Sequence, residues 1–228
     1  MFICDYLNPQ FTQHFDKNTV TTILELGMFD GMDSLALQTH FDARVIGFEC
    51  NPEIINVCKN RIRNNEQISV LEYAAWEEDS QISFYPVISI LDSKGNRIRD
   101  SYGELVVNPG ASSCFRARAD YLQFYEQREI QVNARRVESV LKEIPFVSPF
   151  TIDLICIDVQ GAALQALRGV GRYLNDVRFI IVELEKKEIY YNQSMAKEVV
   201  EFLQKKGFRQ REEVPRDDWF SDFLFTRE

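Results

Sequence analysis

The run from Val20 to Ser34, VTTILELGMFDGMDS, constrains the fold more than any other part of the chain. Residues 21–26 are β-branched and apolar without alternation, the pattern of a strand covered on both faces. Gly27 and Gly31 follow it, and neither carries a Cβ, so backbone there can come close to a ligand. Asp33 or Ser34 is placed to cap a helix whose first N–H groups would face the mouth of the turn. Strand, glycine turn and helix N-terminus together predict the seat of a nucleotide-like cofactor in an open parallel sheet.

The same rhythm continues downstream. A second strand is expected over 44–49. It is followed by Cys50 and a helix over 51–63, with Asn51 as N-cap and Pro52 as first helical residue. A third strand over 68–73 runs into Ala74-Ala75-Trp76. The pattern changes over 77–150. Residues 81–85 alternate like a half-exposed strand, Pro86 interrupts them, and 87–91 either continues beyond the break or pairs elsewhere. Asn108-Pro109-Gly110 and the adjacent hydroxyls of Ser112 and Ser113 read as a loop, so 77–150 is expected to be a substrate-recognition insertion. Buried strands return at 151–158 and 177–183, each ending on an acid, with a helix over 161–174 between them. Ser194 is expected to cap a last helix that Gly207 stops, and two closing strands flank Pro215. Residues 1–19 read as a lead-in packed on the body, with no function assigned. The whole chain, 1–228, is expected to be one domain.

Composition narrows the class. The chain has 228 residues and a net charge of -9, so a nucleic-acid backbone is an unsuitable main partner. No apolar run reaches the roughly 18 residues of a membrane span, and the start lacks the basic-then-apolar layout of a signal peptide. Five cysteines, Cys4, Cys50, Cys58, Cys114 and Cys156, stand apart with no CxxC pair. That spacing fits reduced thiols used as small apolar side chains, and a cytoplasmic setting, better than a disulfide framework or structural zinc.

The acids say most about the ligand. Glu25, Glu49, Asp158 and Glu183 all stand at or near strand ends on the rim where such sheets bind. Carboxylates converging there repel one another unless something cationic or hydroxyl-rich sits between them. A sulfonium, an ammonium and a ribose diol would meet that need, whereas a pyrophosphate would not. Glu49 follows Gly27 at the spacing from which an acid accepts ribose hydroxyls. The turn itself lacks the second glycine of G-x-G-x-x-G, and Asp30 would repel a phosphate.

Glu25-Leu26-Gly27-Met28-Phe29-Asp30-Gly31 is similar to the cofactor motif of class I S-adenosylmethionine-dependent methyltransferases. More specifically, the chain resembles the FkbM-like methyltransferases from about residue 20 onward. Gly47-Phe48-Glu49-Cys50-Asn51-Pro52, Ala74-Ala75-Trp76, Gly110-Ala111-Ser112-Ser113 and the stretch from Ile152 through Asp158, Gln160 and Gly161 to Ala162 carry that resemblance. It implies an α/β, doubly wound, Rossmann-like sheet of seven mostly parallel strands, with a strand and loop insertion between the third and fourth. It also implies methyl transfer from S-adenosylmethionine, leaving S-adenosylhomocysteine, to a hydroxyl of a sugar, a glycan or a related natural product. Gly27, Glu49 and the Ala75-Trp76 segment would line the cofactor pocket. The chain departs from the family at Cys156, usually Lys, at Gln160, usually Glu, and at Ala163, usually a second Glu. These departures remove two carboxylates and a cation from the expected machinery and are consistent with a different acceptor.

The expected site follows. Asp158 is the candidate base or hydroxyl-orienting acceptor, with Glu183 as second acceptor. Glu25, Gly27, Asp30, Gly31, Ser34, Glu49, Cys50, Ala75, Trp76 and Asp158 are the candidate cofactor residues. Asn108, Ser112, Ser113 and Gln160 have the hydrogen-bonding character a sugar site wants. Asp158 and Glu183 would offer a metal two oxygen ligands with no evident third, so no metal site is assigned. Two other classes compete: a non-catalytic domain that keeps the cofactor fold, and an NAD-type oxidoreductase, which the glycine turn disfavours. The chain is also compatible with being one module of a larger glycan-assembly protein.

Overall fold

The computed structural model describes residues 4–119, 124–144 and 151–227. Its elements run α1 (Pro9–Thr12), β1 (Thr22–Leu26), α2 (Met32–Phe41), β2 (Arg44–Phe48), α3 (Ile55–Ile62), β3 (Ile68–Leu71) and β4 (Ala74–Trp76). Then come β5 (Ser80–Phe84), β6 (Val87–Leu91), β7 (Phe124–Gln127), β8 (Ile130–Arg136) and α4 (Val137–Glu143). The second half is β9 (Leu154–Ile157), α5 (Ala163–Val170), β10 (Phe179–Glu185), α6 (Ala196–Lys205), β11 (Arg209–Pro215) and β12 (Phe220–Thr226).

Seven strands form the main sheet in the order β11-β12-β10-β9-β1-β2-β3. Neighbours from β3 through β10 pair in parallel, and β12 runs antiparallel to both β10 and β11. The continuous apolar runs are explained by helices on both faces. Ile23, Val45, Leu154 and Cys156 pack with Leu37, Phe41, Cys58 and Ile62 of α2 and α3. Leu24, Ile46, Ile155 and Ile157 face Val140, Leu164, Leu167, Val199 and Leu203 of α4, α5 and α6. Strand order reverses between β1 and β9, which opens a crevice beyond their carboxyl ends.

The insertion has its own order. A three-stranded sheet, β4-β8-β5, sits beside a β6-β7 pair, so β6 pairs with β7 and does not extend β5. Residues 120–123 and 145–150 of the expected insertion lie outside the described residues.

Several local expectations are corrected. Gly31, at φ +81°, is the N-cap of α2, while Asp33 and Ser34 lie inside the helix; the side chain of Asp30 accepts the Met32 N–H at 3.0 Å in their place. Asn51 accepts from Glu53 N at 3.1 Å in a turn, and α3 starts only at Ile55. The helix after Gly161 spans Ala163–Val170, followed by a 3₁₀ turn. Met195, one residue beyond Ser194, caps α6, with its N–H held by Glu198 at 2.9 Å. Glu183 lies inside β10, because pairing with β12 carries that strand on to Glu185.

Gly27, at φ +90°, is required by crowding as well as by backbone conformation. A Cβ there would lie 1.8 Å from the carbonyl oxygen of Asp158, so the turn can approach the end of β9 only with hydrogen at this position. Gly27→Ala should therefore lower the chemical-denaturation stability by about 2 kcal/mol or more, a cost that combines strain and steric overlap. Unchanged stability in urea would show that the turn relaxes freely.

Candidate active site

A cavity of about 840 Å³, open to solvent, occupies the crevice. Gly27, Phe29, Phe48, Glu49, Tyr73, Ala75, Asp158 and Val159 line it from the sheet side, and Pro109, Gly110, Ser112 and Cys114 from the insertion. Tyr6 adds a wall from the N-terminal segment, to which the sequence reading gave no function. The floor is set by the turn after β1, where the N–H groups of Gly27 and Met28 both donate to the Phe48 carbonyl at 3.0 Å. Gly47 makes room for Met28, whose Sδ would lie 2.1 Å from a Cβ at that position.

Glu49 is fixed by backbone. One carboxylate oxygen accepts from Phe29 N at 2.8 Å and the other from Asn51 N at 2.7 Å. Burial pushes its acid up to about 7, against the lowering effect of these N–H groups. Each oxygen keeps a lone pair for a further donor, and the residue lines the cavity. Glu25 behaves differently. It is buried behind the turn, accepts the Ser34 hydroxyl, and is held well above the ordinary carboxylate range by desolvation.

Asp33 is the acid whose role the sequence left as a helix cap. It lines the cavity, and its Oδ1 is buried with no hydrogen-bond partner. Burial raises its acid, and the nearby carboxylate of Asp158 adds to that. The Cys4 thiol hydrogen-bonds this carboxyl, which leaves Oδ1 as its unpartnered atom.

Asp158 and Glu183 meet through Gln160. The Gln160 amide nitrogen donates to Asp158 Oδ1 at 2.5 Å and to Glu183 Oε1 at 2.9 Å. Its carbonyl end lies 2.7 Å from the Tyr190 hydroxyl, and Ser113 Oγ donates to its backbone carbonyl at 2.6 Å. These contacts hold Gln160 at φ +47°, a left-handed conformation that costs a non-glycine residue about 1–3 kcal/mol. Burial raises both acids, and Glu183 well above its ordinary value because Asp158, Glu185 and Asp222 add like charge. Hydrogen bonds from Gln160 and Glu183 offset part of that rise at Asp158, and the two acids titrate as a pair.

A second cavity of about 500 Å³ adjoins the first, with Gly110 and Gln160 in both walls. Asn108, Tyr125, Glu183, Glu185, Tyr190 and Phe220 complete most of its lining.

Of the residues singled out from sequence, Gly27, Glu49, Cys50, Ala75, Ser112, Asp158 and Gln160 face the larger cavity, and Asn108 and Glu183 the smaller. Glu25, Asp30, Gly31, Ser34, Trp76 and Ser113 are not in either lining. Asp30 is ion-paired with Arg61, and Trp76 lies 6.0 Å from the Phe115 ring. Ser113 is spent on Gln160 and on the Phe115 N–H, which donates to it at 2.9 Å. Sequence reasoning missed Tyr6, Tyr190 and Glu185. Only Glu185 left a signal, as the acid two positions after Glu183 and so on the same strand face.

The lining suits a phosphate-free, cationic cofactor. No Lys or Arg lines the larger cavity among the described residues, whereas Asp33, Glu49 and Asp158 do. Glu49 matches a diol, the unpartnered Asp33 oxygen matches an ammonium, and the aromatic rings of Tyr6, Phe29, Phe48, Tyr73 and Phe84 match a heterocycle and a sulfonium. Among the described residues, no three His, Cys, Asp or Glu side chains are grouped to hold a metal ion, and no helix is long and apolar enough to cross a membrane.

Crowded acids have a consequence for stability. Folding raises the proton affinity of Glu25, Glu49, Asp158, Glu183 and Glu185, the last to about 8. The native chain thus binds more protons than the unfolded chain from the ordinary carboxylate range up to those raised values, and stability falls as pH rises through that window. The melting temperature of the ligand-free protein should drop by about 5 °C or more between about pH 5 and pH 8. A flat or rising profile would mean that these acids ionise in the native state without cost.

Comparison with known proteins agrees with this geometry. The family described as "Methyltransferase FkbM domain" matches residues 27–210. The 2-O-methyltransferase NoeI of Sinorhizobium fredii is 26% identical over 186 residues, covering 79% of this chain and 70% of NoeI. Among solved structures, the bifunctional kinase-methyltransferase WbdD aligns with a TM-score of 0.52 at 15% identity, over 99% of this chain and 40% of that one. Aeropyrum pernix fibrillarin, solved with natively bound S-adenosyl-L-methionine, aligns at 0.50 and 12% identity, over 93% and 69%. These likenesses carry the class I, Rossmann-like methyltransferase fold. With most of its length inside the matched region, the chain belongs to the FkbM methyltransferase domain family and is an S-adenosylmethionine-dependent methyltransferase.

Proposed function

We propose that this enzyme is an O-methyltransferase acting on a hydroxyl of a sugar, a glycan or a related natural product. The observation that carries the reading is the Asp158–Gln160–Glu183 cluster at the wall between the two cavities. S-adenosylmethionine supplies the activated methyl group. Asp33, Glu49 and the Gly27 turn hold and orient the cofactor from the larger cavity. Asp158 accepts the acceptor's hydroxyl proton as the new C–O bond develops. Glu183, Asn108 and the Ser112 hydroxyl, which accepts Val87 N at 3.0 Å, orient the neighbouring hydroxyls. Ser113 and Tyr190 act one step back by holding Gln160, and alignment of the two reactants supplies much of the acceleration. The 2-O-methyltransferase activity in NoeI's name supports the choice of oxygen.

Incubation with methyl-labelled cofactor and a panel of glycans tests the reading. Label should appear as an O-methyl ether on one acceptor class. Asp158→Asn should cut turnover by about 10²-fold or more, the usual range for a lost base. Its affinity for S-adenosylhomocysteine, measured by calorimetry, should stay within about threefold, a change of less than 1 kcal/mol. Full activity in that variant would remove Asp158 from the chemistry. Cofactor binding with no product across the panel would instead favour a non-catalytic domain.

A further inference from the structure

The smaller cavity contains acid with no counter-charge. Glu185 is 2% exposed, lines the cavity, and has an Oε2 with no hydrogen-bond partner. Glu183, two positions earlier on β10, presents its carboxylate to the same space. No lysine or arginine lines this cavity among the described residues. The cations nearby are committed elsewhere: Arg216 pairs with Asp222 at 3.0 Å, and Lys186 with Glu213 at 3.7 Å. The walls add the rings of Tyr125, Tyr190 and Phe220, the apolar side chain of Ile189 and the Asn108 amide. Such a chamber offers two carboxylates and several aromatic faces, and nothing that would neutralise the acids from within the protein.

We propose that the smaller cavity binds a protonated amine carried by the acceptor, so that the substrate is an amine-bearing sugar or cyclitol methylated on a hydroxyl. This deepens the O-methyltransferase reading and rests on it. The ammonium sits between Glu183 and Glu185 and fills the open position on Glu185 Oε2, while the ring packs on the aromatic walls. The acids also decide which atom reacts. Held beside two carboxylates, the amine keeps its proton and has no lone pair to offer. The hydroxyl across Gln160 forms the new C–O bond as the S–C bond breaks. S-adenosylhomocysteine leaves, and the hydroxyl proton passes to Asp158.

The test is binding of three hexoses to the full chain saturated with S-adenosylhomocysteine, followed by ligand-observed NMR titration. Glucosamine should bind on the order of tenfold tighter than glucose or N-acetylglucosamine, the worth of one charge-assisted contact. Glu185→Gln should bring the three affinities to within about twofold of one another, leaving cooperative melting and S-adenosylhomocysteine affinity in place. If that variant does not fold, the contrast between glucosamine and N-acetylglucosamine on the wild type decides the matter. Equal binding of the three sugars, no binding of glucosamine, or a preference that survives Glu185→Gln overturns the amine assignment while the O-methyltransferase reading stands. Failure of S-adenosylhomocysteine itself to bind would overturn that underlying reading, and the amine assignment with it.

Discussion

Buried acid at one edge of a sheet, with no lysine or arginine lining its cavities among the described residues, is the condition on which this molecule is arranged. Glu25, Glu49, Asp158, Glu183 and Glu185 all sit there, each raised by desolvation first. Leaving them ionised and unpaired would be costly, so the ligand-free chain relies on protons and on donors of its own. Backbone N–H groups of Phe29 and Asn51 serve Glu49, the Ser34 hydroxyl serves Glu25, and one amide serves Asp158 and Glu183. A ligand that brings positive charge and hydroxyl donors takes over from the protons. The preference for a sulfonium cofactor thus follows as much from what the cavity lacks as from what it contains.

Much of this was legible in sequence because it is local. Uninterrupted apolar runs at β1, β2 and β9 announced strands covered on both faces, and Glu49 and Asp158 stood immediately after two of them. The parallel sheet then places those acids together without further information. Asp33 was legible as a residue but not as a role. An acid in the first turn of a helix reads as a cap, and only the left-handed Gly31 N-cap shows that the cap is elsewhere and that Asp33 faces the cavity. Glu183 reads in sequence as the end of its strand, because the extension of β10 to Glu185 is decided by pairing with β12, far away in the chain.

Tyr6 and Tyr190 could not be read at all, for a different reason. Tyr6 lies in a single 3₁₀ turn (Asp5–Leu7) and Tyr190 in the connection after β10, both too short to show a periodicity, and each reaches the site only through long-range packing. Tyr190 is placed by Gln193, whose side-chain oxygen accepts the N–H groups of Ile189 and Tyr190 at 2.7 and 2.6 Å. The β6-β7 pairing is equally non-local, joining segments more than thirty residues apart in the numbering. Patterns of two or 3.6 residues carry no record of such contacts.

Gln160 shows how one side chain can set two roles at once. Its amide has two N–H donors and one acceptor, and the structure uses both ends: nitrogen to two carboxylates, oxygen to a tyrosine hydroxyl. A carboxylate at the same position would remove the bridging donors and add like charge to a cluster already short of cations. Glutamine therefore permits Asp158 and Glu183 to lie close together, each accepting from the same amide nitrogen while burial raises both acids. The unfavourable backbone at φ +47° is sustained because Ser113, Tyr190 and both acids fix it from separate elements. The residue that divides the two cavities thus also holds one acid from the lining of each. Loosening it would disturb cofactor-side and acceptor-side chemistry together.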